Sequence, residues 1–229
     1  MQIAGLQKLT LLDFPGKIAC TVFLHGCQFR CPFCHNAPLV TEPLTPEMSV
    51  DACLQFLEKR QGILEGVCIT GGEPTLQPEL PAFLRQIKDL GYDIKLDTNG
   101  YRPQILRDLV AQKLVDYVAM DIKNAPARYA ETVGLSNFDM SKIEESVEFL
   151  KSNAVSYEFR TTLVKEFHTT ESMLSLAQWL QGDMPYFLQN FVDSGALIGH
   201  NLHGFTPEEM SHLAQSIRPF LPKVEIRGI

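Results

Sequence analysis

Short runs of β-branched and apolar residues alternate along this chain with longer segments in which apolar positions recur every three or four residues, and each short run closes in polar or glycine-containing residues. The first pattern is that of a buried parallel strand and the second that of an amphipathic helix, so their alternation predicts repeated βα units around a parallel sheet. Strands are expected over Ile18 to Leu24, Gly66 to Thr70, Asp93 to Asp97, Tyr117 to Asp121, Tyr157 to Val164 and Pro185 to Phe191, with a last one over Lys223 to Arg227. Helices are expected over Pro46 to Arg60, Pro78 to Leu90, Pro103 to Gln112, Met140 to Ser152, Thr170 to Gln181 and Pro207 to Pro219.

Thr45-Pro46 and Thr206-Pro207 read as helix starts, because a threonine can cap the free N–H groups and proline fits the first turn. No tandem repeat, low-complexity stretch or Gly/Ser linker divides the chain, so residues 1–229 are read as one domain. About six βα units in a single layer predict an α/β fold, a partial (β/α)6 TIM-like barrel open on one side. In such barrels chemistry gathers at the C-terminal strand ends.

Composition narrows the partners. Forty-five per cent hydrophobic residues in 229 can bury a substantial core. Twenty basic against 27 acidic residues leave a net charge of −7, which recommends neither nucleic acid nor an anionic membrane. No apolar run reaches the roughly 18 residues of a membrane span, and no signal core follows the N-terminus. A monomer in the cytoplasm is expected, where thiols stay reduced.

The candidate chemistry starts at Cys27, Cys31 and Cys34, in the run His25-Gly26-Cys27-Gln28-Phe29-Arg30-Cys31-Pro32-Phe33-Cys34-His35-Asn36. Three thiolates on one loop leave a fourth position unfilled. An Fe–S cubane held by only three protein ligands exposes one iron to an outside ligand; a structural zinc completed by His35 or His25 is the alternative. Cys20, Cys53 and Cys68 lie in apolar segments and read as small buried hydrophobes. Phe33 either presses on a bound ring or fills core.

Further candidates follow successive strand ends. In Gly71-Gly72-Glu73-Pro74 the glycines allow close backbone approach to a ligand, and the acid can accept from an ammonium group. Asp97-Thr98-Asn99-Gly100 and Asp121-Ile122-Lys123 bring two carboxylates, an amide and an ammonium to one mouth, suited to a cation or to ribose hydroxyls, or else to a helix cap and a solvated loop. Arg160 stands inside an apolar run, where an unpaired guanidinium is costly, so it faces a ligand carboxylate, Glu158 or an inward aspartate. His168, His200, His203 and His212 have no ligand-like spacing and are read as surface or loop residues.

These motifs together resemble the radical S-adenosylmethionine enzymes, and Asp13-Phe14-Pro15-Gly16, Phe23-Leu24-His25-Gly26-Cys27 and Cys31-Pro32-Phe33-Cys34-His35-Asn36 resemble in particular the glycyl-radical-enzyme activases. That group includes the pyruvate formate-lyase activating enzymes and the anaerobic ribonucleoside-triphosphate reductase activating proteins. The resemblance implies that Cys27, Cys31 and Cys34 hold one catalytic 4Fe-4S cluster. It implies that Gly71, Gly72 and Glu73 receive the amino group of S-adenosyl-L-methionine, and that Phe33, Asn99, Lys123 and Arg160 contact the rest of it. A monovalent cation is implied beside Asp97, Asp121 and the backbone of Thr98.

The implied reaction is reductive cleavage of the sulfonium to a 5′-deoxyadenosyl radical that takes a Cα hydrogen from a glycine of a partner glycyl-radical enzyme, with anaerobic ribonucleoside-triphosphate reductase the expected target. Flavodoxin or ferredoxin is the implied reductant. The chain departs from the formate-lyase activases at Leu188-Gln189-Asn190-Phe191, where they carry a histidine, and it lacks a second cysteine-rich insertion, so no second cluster is expected. A compact radical enzyme acting on a small molecule, such as a carboxy-deazaguanine synthase, shares the cluster spacing and is the competing expectation.

Overall fold

A computed structural model describes residues 1–229 apart from Gln2, 44–46, Ser194 and Ile229. Its frame is one sheet of eight strands in chain order: β1 (Ile3–Thr10), β2 (Ala19–Leu24), β3 (Gly66–Gly71), β4 (Asp93–Thr98), β5 (Tyr117–Asp121), β6 (Ser156–Leu163), β7 (Tyr186–Asn190) and β8 (Val224–Arg227). Strands β2 to β8 run parallel and β1 pairs antiparallel with β2, so β1 and β8 are the two edges. The expected barrel, open on one side, is the fold observed.

The helices are α1 (Pro38–Thr41), α2 (Val50–Glu58), α3 (Leu80–Asp89), α4 (Pro103–Ala111), α5 (Tyr129–Thr132), α6 (Ser141–Lys151), α7 (Thr170–Leu180) and α8 (Pro207–Ile217). The longer ones each lay one apolar stripe on the sheet. In α3, for example, Leu80, Phe83, Leu84 and Ile87 are buried, and such a side chain contributes about 1.5–3 kcal/mol when fully removed from water. Among the described residues no helix is long and apolar enough to cross a membrane.

Three expectations need correction. Strand β1 is an addition to the expected set; it is half exposed, and two register irregularities against β2 interrupt its alternation. Helix α2 starts at Val50, because Ser49 accepts from the Ala52 N–H and caps it there; the expected start at Thr45-Pro46 lies outside the described residues. The Thr206-Pro207 start does hold, with Thr206 and Glu209 forming a reciprocal capping box. The short helices α1 and α5 are also additions, and both lie beside the cysteine loop.

The Asp13-Phe14-Pro15-Gly16 turn folds beneath the sheet. Phe14 is buried with its ring centroid 6.2 Å from that of Tyr117, and a Cβ on Gly66 would meet it at 2.8 Å. Asp13 Oδ2 accepts from the Thr21 hydroxyl at 2.5 Å. This turn therefore stoppers the N-terminal end of the barrel, opposite the end that carries the motifs. Cys20, Cys53 and Cys68 are free and buried, as expected from their apolar settings.

Candidate active site

A cavity of about 410 Å³ opens at the C-terminal strand ends. Its wall contains every candidate cluster and cofactor residue: Cys27, Cys31, Phe33 and Cys34 after β2, Gly71, Gly72 and Glu73 at the end of β3, Asp97, Thr98 and Asn99 at the end of β4, Asp121 and Lys123 at the end of β5, and Arg160 on β6. A parallel sheet makes this convergence automatic, since each βα unit delivers its strand end to the same face.

The cysteine loop is gripped from three sides by glycines distant in sequence. Gly72 N–H donates to Leu24 O at 2.8 Å and Glu73 N–H to Gly26 O at 2.7 Å, and a Cβ on Gly72 would lie 2.0 Å from Gly26 O. A Cβ on Gly134, past α5, would lie 2.5 Å from Arg30 O, and one on Gly199 2.7 Å from the Pro32 Cβ. The Gly-Gly pair, expected to make room for a ligand, uses its missing side chains to seat the backbone of β3 against the root of the cysteine loop. Asn36, which was not singled out as a site residue, adds a bond from Nδ2 to Gly71 O at 2.9 Å.

Cys31 is buried, and Cys27 and Cys34 are partly so. Burial, reinforced at Cys27 by the neighbouring Glu73 carboxylate, pushes the Cys27 thiol up to about 12, and burial pushes Cys31 up to about 11. Phe29 N–H donates to Cys27 Sγ at 3.4 Å, and Asn99 Nδ2 points to the same sulfur at 3.7 Å. Among the described residues no three His, Cys, Asp or Glu side chains converge on one point as a single metal ion requires.

Glu73 is buried, and burial raises its pKa against four hydrogen bonds that oppose the rise. Its Oε1 accepts from Thr75 N–H, the Thr75 hydroxyl and the Thr98 hydroxyl, and its Oε2 accepts from Asn99 N–H at 2.7 Å. The acid thus ties the end of β3 to the end of β4, with acceptor capacity left on Oε2 for one further donor. Thr98 spends its side chain on Glu73, and Asn99 Oδ1 receives Gln28 Nε2 at 3.0 Å. Gln28 is a wall-supporting residue that sequence reasoning passed over.

Arg160 takes the third of its options. Its Nη2 lies 3.0 Å from Asp97 Oδ2 and its Nε 2.5 Å from Asp121 Oδ1, while Glu158, two residues earlier on β6, pairs with Arg227. Lys123 Nζ sits 3.0 Å from Asp121 Oδ2, and the buried Lys95 pairs with Asp97 Oδ1. Burial alone would raise both acids; Arg160, with Lys95 at Asp97 and Lys123 at Asp121, instead holds them below the usual carboxylate range. Each of the four carboxylate oxygens therefore already faces a fixed cationic side chain. The expected monovalent cation would meet the three positive charges of Lys95, Lys123 and Arg160 and only the second lone pairs of these oxygens.

Phe33 is buried, with its ring centroid 5.6 Å from that of Phe167 and 6.3 Å from that of His168, and it also lines the cavity. His168 lies in the loop between β6 and α7, one of its two expected settings, but is buried there rather than on the surface, accepting from Val164 N–H at Nδ1 (3.0 Å) and donating from Nε2 to Lys123 O (2.9 Å). At the end of β7, Gln189 lines the cavity, and His35 stacks on Phe191 with centroids 5.4 Å apart. Gln7, Asp13, Thr21, Phe23 and Thr162 complete parts of the wall without having been anticipated.

The sequence pattern of the Radical SAM superfamily matches residues 21–180, and the chain belongs to that superfamily. It is accordingly an enzyme of a class that works with a 4Fe-4S cluster and S-adenosylmethionine. It is 32% identical over 233 residues, spanning 99% of this chain and 96% of the relative, to a Methanocaldococcus jannaschii protein named as a glycyl-radical enzyme activating enzyme. It is also 32% identical over 128 residues, 54% of this chain and 52% of the relative, to the pyruvate formate-lyase-activating enzyme of Clostridium pasteurianum. A third relative, 7-carboxy-7-deazaguanine synthase of Thermococcus kodakarensis, is 32% identical over 192 residues, 72% of this chain and 70% of its own. Among solved structures, Streptococcus suis SuiB bound to S-adenosylmethionine superposes with a TM-score of 0.69 at 12% identity, over 91% of this chain and 52% of that one. The chain thus spans about half of SuiB, and the likeness is one of fold.

Proposed function

We propose that the protein activates a glycyl-radical enzyme, most plainly the anaerobic ribonucleoside-triphosphate reductase, and that Cys27, Cys31 and Cys34 hold its single cluster. The observation that carries the reading is the meeting of the three thiols with the Gly-Gly-Glu turn, Asn99, Lys123 and Arg160 around one cavity. The full-length match to a relative named for that activity supports the choice among radical enzymes.

When bound, the cluster and S-adenosylmethionine supply reductive cleavage to a 5′-deoxyadenosyl radical, which removes a glycine Cα hydrogen. The residues of the chain position and exclude. The spare acceptor capacity of Glu73 and the backbone of Gly71 and Gly72 offer oxygens to an ammonium group. Lys123 and Arg160, the lysine and arginine of the cavity wall, offer charged N–H donors to a carboxylate. The barrel wall and the Phe14 stopper keep bulk water away from the reacting face, while the cavity mouth leaves an entry for a peptide loop.

The test is to reduce the reconstituted protein anaerobically with S-adenosylmethionine and a candidate glycyl-radical enzyme. A glycine-centred paramagnetic signal on the partner is the expected result. The 7-carboxy-7-deazaguanine synthase relative favours a second reading, a small-molecule substrate. Cofactor cleavage with no glycine signal from any candidate partner would carry the case to it.

A further inference from the structure

Lys95 is a deeply buried charged side chain of the barrel interior that none of the expected roles uses. It lies on β4 between Ile94 and Leu96 and is 2% exposed. Strand alternation puts it on the same face as Asp97, two residues on. Its Nζ pairs with Asp97 Oδ1 and lies 3.9 Å from Cys68 Sγ. From there the charges alternate: Asp97 to Arg160, Arg160 to Asp121, Asp121 to Lys123. An alkali ion is held by oxygen ligands, and beside these two acids it would meet three fixed positive charges, Lys95, Arg160 and Lys123, each already against a carboxylate oxygen.

We propose that the Lys95 ammonium is a built-in substitute for a monovalent cation at Asp97, a positioning residue that fixes Asp97 and through it Arg160. Lys95 thus sets a fixed positive charge against Asp97 from inside the fold, where an ion from solution would otherwise be needed. The consequence for cofactor binding rests on the proposed function only as far as S-adenosylmethionine is the ligand; whether a glycyl enzyme is the target does not enter.

The experiment uses the cluster-loaded protein under anoxia, in tetramethylammonium buffer. Calorimetric titration of the wild type with potassium or sodium chloride is expected to give no saturable heat, and its affinity for S-adenosylmethionine is expected to be the same with and without either ion. Lys95→Ala, which leaves an acid beside a cavity, is expected to bind the cofactor about tenfold more weakly, as befits breaking a buried ion pair, and to recover on adding potassium or ethylammonium. Saturable alkali-ion binding by the wild type would overturn the proposal, as would a Lys95→Ala or Lys95→Met protein that binds the cofactor normally with no cation supplied. Should both variants fail to fold, the wild-type titration alone still decides. A wild type that cleaves the cofactor but radicalises no partner would count against the activase reading and leave this proposal standing.

Discussion

Gly72 packs so tightly on Gly26 that a Cβ built on it would sit 2.0 Å from the Gly26 carbonyl oxygen. Backbone, not a flexible side chain, is the obstacle, so the collision is relieved only by moving the root of the cysteine loop. Gly72→Ala is expected to cost about 3 kcal/mol, at the upper end of the range for overpacking. Its iron content after reconstitution is expected to fall with it, because Cys27 follows Gly26 directly. Urea unfolding together with iron analysis checks this; a variant with native stability and full iron would show the loop to be freer than its contacts imply.

Cys31 lies on the loop rather than in the sheet, although it is buried. Cys31→Ala is expected to cost about 1 kcal/mol, an ordinary single-residue loss, while abolishing the release of 5′-deoxyadenosine from S-adenosylmethionine. Far-ultraviolet circular dichroism and a chromatographic assay under dithionite measure the two effects separately. Retained cleavage would remove Cys31 from the ligand set.

Much of this site is legible in the sequence, because strand ends in a parallel sheet share one face and the motifs each follow a strand end. What the sequence does not reveal is where the remaining polar capacity goes. Glu73 looks like a ligand acceptor from its motif, yet its oxygens hold Thr75, Thr98 and Asn99. Strand β1 gives little signal because an edge strand with one solvated side carries neither a continuous apolar run nor clean alternation. His168 gives no local signal, since its partners, Val164 and Lys123, come together only when β5 and β6 pair. Lys95 does leave a trace: a lysine between Ile94 and Leu96, two residues from an aspartate, faces inward with that aspartate by alternation alone.

Asp121 is held ionised by Arg160 and Lys123 against a burial that would otherwise raise it. A carboxylate with a depressed folded pKa contributes above its unfolded value, near 3.9, and the contribution is lost as the pH falls through the folded one. Asp121→Asn is therefore expected to cost about 2 kcal/mol at neutral pH, somewhat less than a fully buried pair because the mouth is wet. The gap between the two proteins is expected to stay level down to roughly pH 5 and to close below pH 4. Denaturant midpoints across that range test it, and a gap that persists unchanged in acid would mean that packing, not charge, is lost.

His168 behaves in the opposite chemical sense with the same direction in pH. Burial keeps its imidazole below the ordinary histidine value, so above about pH 6.5 it is neutral in both folded and unfolded chains and its contribution is fully present. As the pH falls below that, the unfolded chain takes up a proton that the folded one refuses, and stability drops by up to about 1.4 kcal/mol per pH unit until the folded pKa is reached. His168→Gln is expected to be less stable at neutral pH by about 1–2 kcal/mol, for the hydrogen bonds to Val164 and Lys123 are weakened, but to decline less steeply in acid. His35, also lowered by burial, titrates in both proteins and cancels in the difference. The two stability curves should therefore approach one another between pH 6.5 and 5; parallel curves would show that the imidazole is protonated in the folded protein and that Nδ1 does not accept from Val164.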